Sequence, residues 1–276
     1  MARDVHPAGP SFFVPIARFR QRLAAGETLF GVSLAFTDPQ VSEALADSVD
    51  FLWYDLEHAA MSPEALRAHL LAARSRGTPS IVRVAGSGAW LLKPVLDAGA
   101  NGVVVPQVRS AAEVRQVVAD CRYPPQGQRG FGPLVPTLYG RHGDADYPER
   151  ANRELFVAVM IENVEALAEV AEIVAVPGLD SVVIGPWDLS GSLGILGQVN
   201  STRVVSAIEV IVAAARRAGV WVGAGMGADP DFARTMAGRG VQWLQVGGDS
   251  GYLIRAADQI AAAIRGHVSC PSGACP

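Results

Sequence analysis

Four side chains in this sequence have types and placements that suit chemistry on a small anionic molecule, and each closes a short apolar run. His58 stands in Asp55-Leu56-Glu57-His58, just after the run Phe51 to Asp55. Arg83 ends Ser80-Ile81-Val82-Arg83, and Pro106-Gln107 follow the next run. Glu162 follows Phe156 to Ile161, and Asp188 lies four residues beyond Ser181 to Ile184 in Gly185-Pro186-Trp187-Asp188. Two carboxylates with no His or Cys beside them suit a hard divalent ion, Mg2+ or Mn2+, with water or substrate oxygens completing the shell. Without a cation they would repel, and one would hold a proton. Each acid could instead favour a helix start, where negative charge is stabilised.

Arg83 at the end of an apolar strand needs an anionic or carbonyl partner. It could clamp a carboxylate, steady an enolate oxygen, or form a structural ion pair with Glu57 or Asp55. His58 is the best general acid or base, because it titrates near neutrality and, of five histidines, is the one at a strand end. A hydrogen-bonded core histidine is the alternative. His142, in the long loop, could also reach the site. Gly185-Pro186 brings backbone close, with amides before a helix start that could hold a carboxylate. The glycines of Gly86-Ser87-Gly88, Gly247-Gly248 and Gly223 to Gly227 lack the spacing of a nucleotide-binding fingerprint. Those at 223 to 227 read as close packing at a strand–loop junction.

The elements that must position these groups can be read from the apolar pattern. Eight short runs recur: Leu29 to Leu34, Phe51 to Asp55, Ser80 to Val84, Gly102 to Val105, Phe156 to Ile161, Ser181 to Ile184, Val220 to Ala224 and Trp243 to Val246. Nearly continuous apolar runs are the mark of parallel strands buried on both faces. Helical spacing fills the gaps: Asp38 to Ala46, Ser62 to Arg76, Ala89 to Ala98, Ser110 to Cys121, Val164 to Val174, Ser201 to Ala218, Pro230 to Gly238 and Tyr252 to Ile264. Ser62 reads as an N-cap with Pro63 in the first turn, and Gly77, Gly99, Gly219 and Gly240 read as terminators. Eight such pairs predict a (β/α)8 barrel, with a doubly wound sheet as the alternative. Phe12 to Ala25 would be an extra N-terminal helix. Pro124 to Asn152 is the one long irregular connection. In a barrel the strand ends share one mouth, so all four groups would face each other.

Composition agrees with one large domain over residues 1–266, followed by a flexible tail at 267–276. The chain of 276 residues is 50% hydrophobic and 18% charged, which excludes a disordered chain. Its net charge of −4 offers no basic field for nucleic acid or an anionic membrane. Neither an N-terminal apolar signal region nor a membrane-length run is present, so the expected location is the cytoplasm. Cys121, Cys270 and Cys275 make no disulfide framework. Lys93 is the only lysine. It falls inside the helix Ala89 to Ala98, poorly placed to form a Schiff base, which needs a lysine amine at a strand end.

Several motifs in register resemble the HpcH/HpaI family of class II, metal-dependent pyruvate aldolases: YDLEHA at 54–59, IVRV at 81–84, VLDAGANGVVVPQV at 95–108, RYPPQGQRG at 122–130, MIEN at 160–163 and IGPWDLS at 184–190. The resemblance spans Phe30 to Ile264. It implies a homo-oligomer, hexamer or trimer, with a C-terminal helix swapped between subunits. It implies that Glu162 and Asp188 bind Mg2+, Mn2+ or Co2+, and that a 2-oxo acid meets this ion through its carboxylate and ketone oxygens. Arg83 would steady the enolate, His58 would move the aldol proton with help from Asp97, and the Gly185, Pro186, Trp187 backbone would hold the carboxylate. Ser33 stands where many relatives have tryptophan lining the pocket for the aldehyde, and Met160 where many have glutamine. A fungal relative that decarboxylates oxaloacetate and uses the enolate for another bond keeps that variant open. A catalytically silent metabolite-binding barrel is the non-enzyme alternative. A CoA-ester lyase would need a basic groove, and none is evident.

Overall fold

The computed structural model describes residues 12–141 and 146–267. Eight strands, β1 Leu29–Leu34, β2 Phe51–Asp55, β3 Ser80–Arg83, β4 Gly102–Val105, β5 Phe156–Ile161, β6 Ser181–Ile184, β7 Trp221–Met226 and β8 Trp243–Gly248, pair in parallel and in sequence order, and β8 closes on β1. The helices are α1 Val14–Ala24, α2 Gln40–Leu45, α3 Pro63–Arg76, α4 Ala89–Ala98, α5 Ala111–Cys121, α6 Tyr147–Glu154, α7 Val164–Ala168, α8 Val170–Val174, α9 Pro186–Ser192, α10 Thr202–Ala218, α11 Pro230–Gly238 and α12 Asp249–His267. This is the (β/α)8 barrel expected from the apolar rhythm. No helix among the described residues is long and apolar enough to cross a membrane.

Strand side chains alternate between two cores. Val32, Leu34, Leu52, Tyr54, Val103 and Val105 face the helices. Leu29, Phe51, Trp53, Ile81, Val104, Phe156, Met160, Val183 and Trp243 face the barrel axis. Glycines make room for the largest of them: a Cβ on Gly223 would stand 2.3 Å from the Trp243 ring, and one on Gly31 would stand 2.4 Å from Phe51. The close packing expected at the β7 glycines is therefore observed. The extra N-terminal helix is present too. α1 plugs the bottom of the barrel, with Phe19 edge-on to Phe51, Phe156 and Trp243 at 5.4–6.0 Å between centroids. Arg20 ties α1 down through Asp180 at 2.6 Å and the Leu155 carbonyl at 2.9 Å.

Three local features differ from the sequence reading. The helix expected over Val164 to Val174 is broken at Glu169 (φ −98°, ψ 14°) into α7 and α8, and Glu169 Oε2 accepts the Ala111 amide at the start of α5. The long connection ends in α6, and α9 follows β6 directly; both are short and begin with proline in the first turn. Ser62, Ser110 and Ser201 cap their helices as their residue type favours, each accepting an amide three residues on.

Candidate active site

The alternation that buries Phe51 and Trp53 inside the barrel also points Asp55 inward, and the same parity turns Arg83, Glu162 and Ser33 toward the mouth. Asp55 organises one side. Its carboxylate accepts Arg83 Nε at 3.0 Å and Nη2 at 2.6 Å, a two-pronged pair. The same Oδ1 accepts the amides of Glu57 and His58 at 3.0 and 3.3 Å, folding the turn that presents those residues at the rim. Burial opposes its charge, but the hydrogen bonds and charge of Arg83, helped by these amides, hold its pKa below the usual carboxylate value. Of the roles open to Arg83, the ion pair with Asp55 and Glu57 is present. Nη1 lies 3.0 Å from Glu57 Oε2, and the guanidinium lies over Trp53 at 5.8 Å. Only two of its five N–H donors are spent in hydrogen bonds to Asp55.

The other side is acidic. Glu162 is 2% exposed, and its Oε1 accepts the Gln107 amide at 2.7 Å. Gln107 adopts φ 57°, a left-handed conformation that turns this amide onto the carboxylate. A Cβ on Gly185 would stand 2.6 Å from Glu162 Oε2, so glycine there is what lets the acid sit against β6. Burial, then the charges of Asp188 and Glu57, raise Glu162 to about 7 against the pull of the Gln107 amide and Arg83. Glu57 is raised too, by burial first and by Asp55 and Asp188, against Arg83 and His58. Glu57 Oε2 is buried and accepts no hydrogen bond among the described residues. Asp188, exposed in the first turn of α9, completes the group.

Four carboxylates thus face one guanidinium. This donor set fits a hard divalent cation: two acids, Glu162 and Asp188, that could ligate it, and a Glu57 oxygen, ion-paired with Arg83, that could take a hydrogen bond from a bound water. No cluster of three protein ligands is present among the described residues.

The remaining predicted residues fall as follows. His58 stands at the rim, its side chain 65% exposed and Nε2 3.7 Å from Glu57 Oε2. Pro186 is buried at the start of α9; Trp187 is 57% exposed and lies over Gly197. Ser33 lines the wall beside Gly248. Asp97 is not brought to His58 within one protomer. It sits near the C-terminal end of α4, at the far end of the barrel, paired with the buried Arg129 at 2.6 Å. Lys93 is exposed on α4, outside the barrel, where it cannot form an imine in the mouth. His142, Cys270 and Cys275 lie outside the described residues. The sequence offered Asp55 or Glu57 as an ion-pair partner for Arg83, and both pair with it; the turn that Asp55 folds and the Gln107 amide on Glu162 were missed.

A closed parallel barrel with acids and an arginine gathered at its C-terminal mouth has the architecture of barrel enzymes, which carry their chemistry at that end. The chain belongs to the HpcH/HpaI aldolase/citrate lyase family, whose model matches residues 33–256. It is 37% identical over 261 residues to a hydroxypyruvate/pyruvate aldolase of Pseudomonas aeruginosa, covering 94% of this chain and 97% of that one. Among solved structures, an HpcH/HpaI aldolase/citrate lyase family protein of Burkholderia cenocepacia superposes with a TM-score of 0.84 at 32% identity, covering 90% of this chain and 99% of that one. The citrate synthase SbnG superposes with a TM-score of 0.79 at 34% identity, covering 90% and 97%.

Proposed function

We propose that this chain is a divalent-cation-dependent aldolase that cleaves 4-hydroxy-2-oxo acids to a pyruvate-type enolate and an aldehyde, or joins the two. The observation that carries this reading is the buried Glu162 carboxylate set with Asp188 and Glu57 at the mouth of the barrel. Aldolase-named relatives of near full length support it. Glu162 and Asp188 would hold Mg2+, Mn2+ or Co2+. When bound, the ion supplies Lewis-acid charge that lowers the cost of the enolate.

The residues of the chain do the rest. The backbone from Gly185 to Asp188 receives the carboxylate of the oxo acid. The unspent N–H groups of Arg83 face the ketone oxygen, where negative charge develops as the C3–C4 bond breaks and its electron pair moves toward C2. Asp55 and Glu57 hold the guanidinium in place, so no reorganisation is needed during reaction. His58 takes the proton of the 4-hydroxyl, which frees the aldehyde, and returns it in synthesis. Asp97 could assist His58 only across an interface between two copies.

Such an interface suits α12. Its Leu253, Ile254, Ile260 and Ile264 are 60–63% exposed. A groove of ≈ 370 Å³ between α11 and the β8–β1 wall, lined by Phe30, Ala233, Ala237, Leu244 and Val246, would accept the α12 of another copy. We therefore read the protein as a homo-oligomer, trimer or hexamer, with α12 exchanged.

The likeness to a citrate synthase favours one second reading: the same groups could join the enolate to a different electrophile, with decarboxylation of oxaloacetate as another source of that enolate. The test is exchange of pyruvate methyl protons with deuterium, followed by NMR. Exchange should begin when Mg2+, Mn2+ or Co2+ is added to chelated protein, and Arg83→Lys should slow it by about 100-fold. No exchange with any of the three ions would refute enolate chemistry. CO2 release from oxaloacetate outpacing aldol cleavage would select the second reading.

A further inference from the structure

His69 takes no part in the chemistry above, yet it is fully buried in a polar network behind the strand ends. It lies on α3 with Ser42 of α2 and Tyr54 of β2, and all three are 0% exposed. Burial pushes the ring below the usual histidine pKa, against the pull of the Phe36 carbonyl, so the ring is neutral at neutral pH. Its hydrogen bonds then run in one order. Nε2 lies 3.0 Å from the Phe36 carbonyl, which can only accept, so Nε2 carries the proton. Nδ1 is bare and accepts the Ser42 hydroxyl at 2.7 Å. With that proton committed, the Ser42 oxygen accepts the Tyr54 hydroxyl at 3.0 Å, and the same hydroxyl reaches the His69 carbonyl at 3.3 Å.

Two strand ends meet in this network. Leu34, the last residue of β1, pairs with Tyr54 of β2. Beyond Leu34, the turn at the mouth is gripped from both sides. Asp249, the first residue of α12, accepts the Ala35 and Phe36 amides at 3.0 and 2.9 Å, and His69 takes the Phe36 carbonyl. On β2, Tyr54 points outward into the network, while the next residue, Asp55, points inward and grips Arg83. The two share a peptide bond, so a tie on the Tyr54 side chain also steadies the Asp55 carboxylate. A buried polar chain with every member satisfied resists displacement; removing one member leaves buried groups unmet.

We propose that His69 is a positioning residue for the enolate-forming step. Through Ser42 and Tyr54 it fixes the end of β2 from outside the barrel, and so holds Asp55 and the Arg83 guanidinium aimed at the ketone oxygen. It touches no reactant. The inference rests on the aldolase reading and adds a support for Arg83 on the far side of the strand wall.

The test is a double-mutant cycle on the exchange of pyruvate protons with Mn2+ added, joining His69→Leu to Arg83→Lys. Alone, His69→Leu should lower kcat by about tenfold, as misplacing a catalytic group does, and leave KM for pyruvate within about twofold, because the carboxylate is received at the end of β6. In the Arg83→Lys background the same change should cost less than about twofold, since the group it aims is already altered. His69→Gln keeps a donor for Phe36 and an acceptor for Ser42, and should recover most of the rate. Tyr54→Phe cuts the tie to β2 alone and should repeat the loss, which keeps the inference refutable if His69→Leu does not fold. A purely structural role would act through the folded fraction and cost the same factor in both backgrounds. Equal losses with and without Arg83, a loss carried by KM, or an unchanged rate in folded His69→Leu or in Tyr54→Phe would overturn the inference and leave the aldolase reading standing. A wild type without exchange overturns both.

Discussion

The acid that makes the site useful should make the metal-free fold less stable, and Glu162→Gln measures by how much. Burial and the neighbouring acids push Glu162 up to about 7 in the folded chain, against about 4.5 for an exposed carboxyl. A raised carboxyl binds its proton more tightly in the native state. Between pH 4.5 and 7 the folded chain therefore holds a proton that the unfolded chain has released, and stability falls as pH rises through this window. Above about pH 7 the full penalty is present, worth about 3 kcal/mol. The carboxylate is 2% exposed, so little of this is screened by solvent. Glutamine keeps the size and can still accept the Gln107 amide, but has no charge to repel Asp188 and Glu57. In chelator at pH 8, Glu162→Gln should be more stable than wild type by up to about 3 kcal/mol, and the gain should shrink toward zero by pH 5. Denaturant unfolding across this range measures it. Adding Mn2+ should stabilise the wild type and leave the variant unmoved, since binding to the native state alone raises stability. A variant no more stable than wild type at pH 8, or one stabilised equally by Mn2+, would show that Glu162 is not the strained, cation-seeking group described here.

Two further expectations follow from packing. Gly185→Ala places a methyl 2.6 Å from Glu162 Oε2 at a backbone φ of −101° that alanine tolerates, so the fold should persist while Mn2+ affinity, read by calorimetry, falls by about tenfold or more. Leu253→Glu combined with Ile260→Glu on the exposed face of α12 should reduce the mass seen by light scattering to that of one chain, with barrel circular dichroism retained; an unchanged mass would refute the exchange of α12.

Much of the architecture was legible without coordinates because parallel strands buried on both faces have no solvent side to mark with polar residues. Runs such as Phe156 to Ile161 therefore stand out, and the polar residue that ends each one lands at the mouth. That logic located Arg83, Glu162, Asp188 and His58. It did not find α6 or α9, since seven or eight residues hold too few turns for a helical period to show. It also joined α7 to α8, because the break at Glu169 accompanies a contact with α5 that lies far away in the chain.

By itself, then, the amino-acid sequence determined the eight β-α units, the end of the barrel at which the polar strand-end residues gather, and the lack of a lysine able to form an imine there. These are local properties: apolar period, caps, and residue type at strand ends. Only the tertiary structure decided which charges share a neighbourhood. Barrel closure sets Arg83 against Asp55 rather than leaving it alone. A left-handed Gln107 donates to Glu162, and the missing Cβ of Gly185 lets Glu162 sit against β6, close to Asp188 and Glu57. Folding also carries Asp97 away from His58 within one chain, and it puts His69 behind the ends of β1 and β2. Charge and hydrogen-bond energies depend on distance in space, and distance along the chain does not report it.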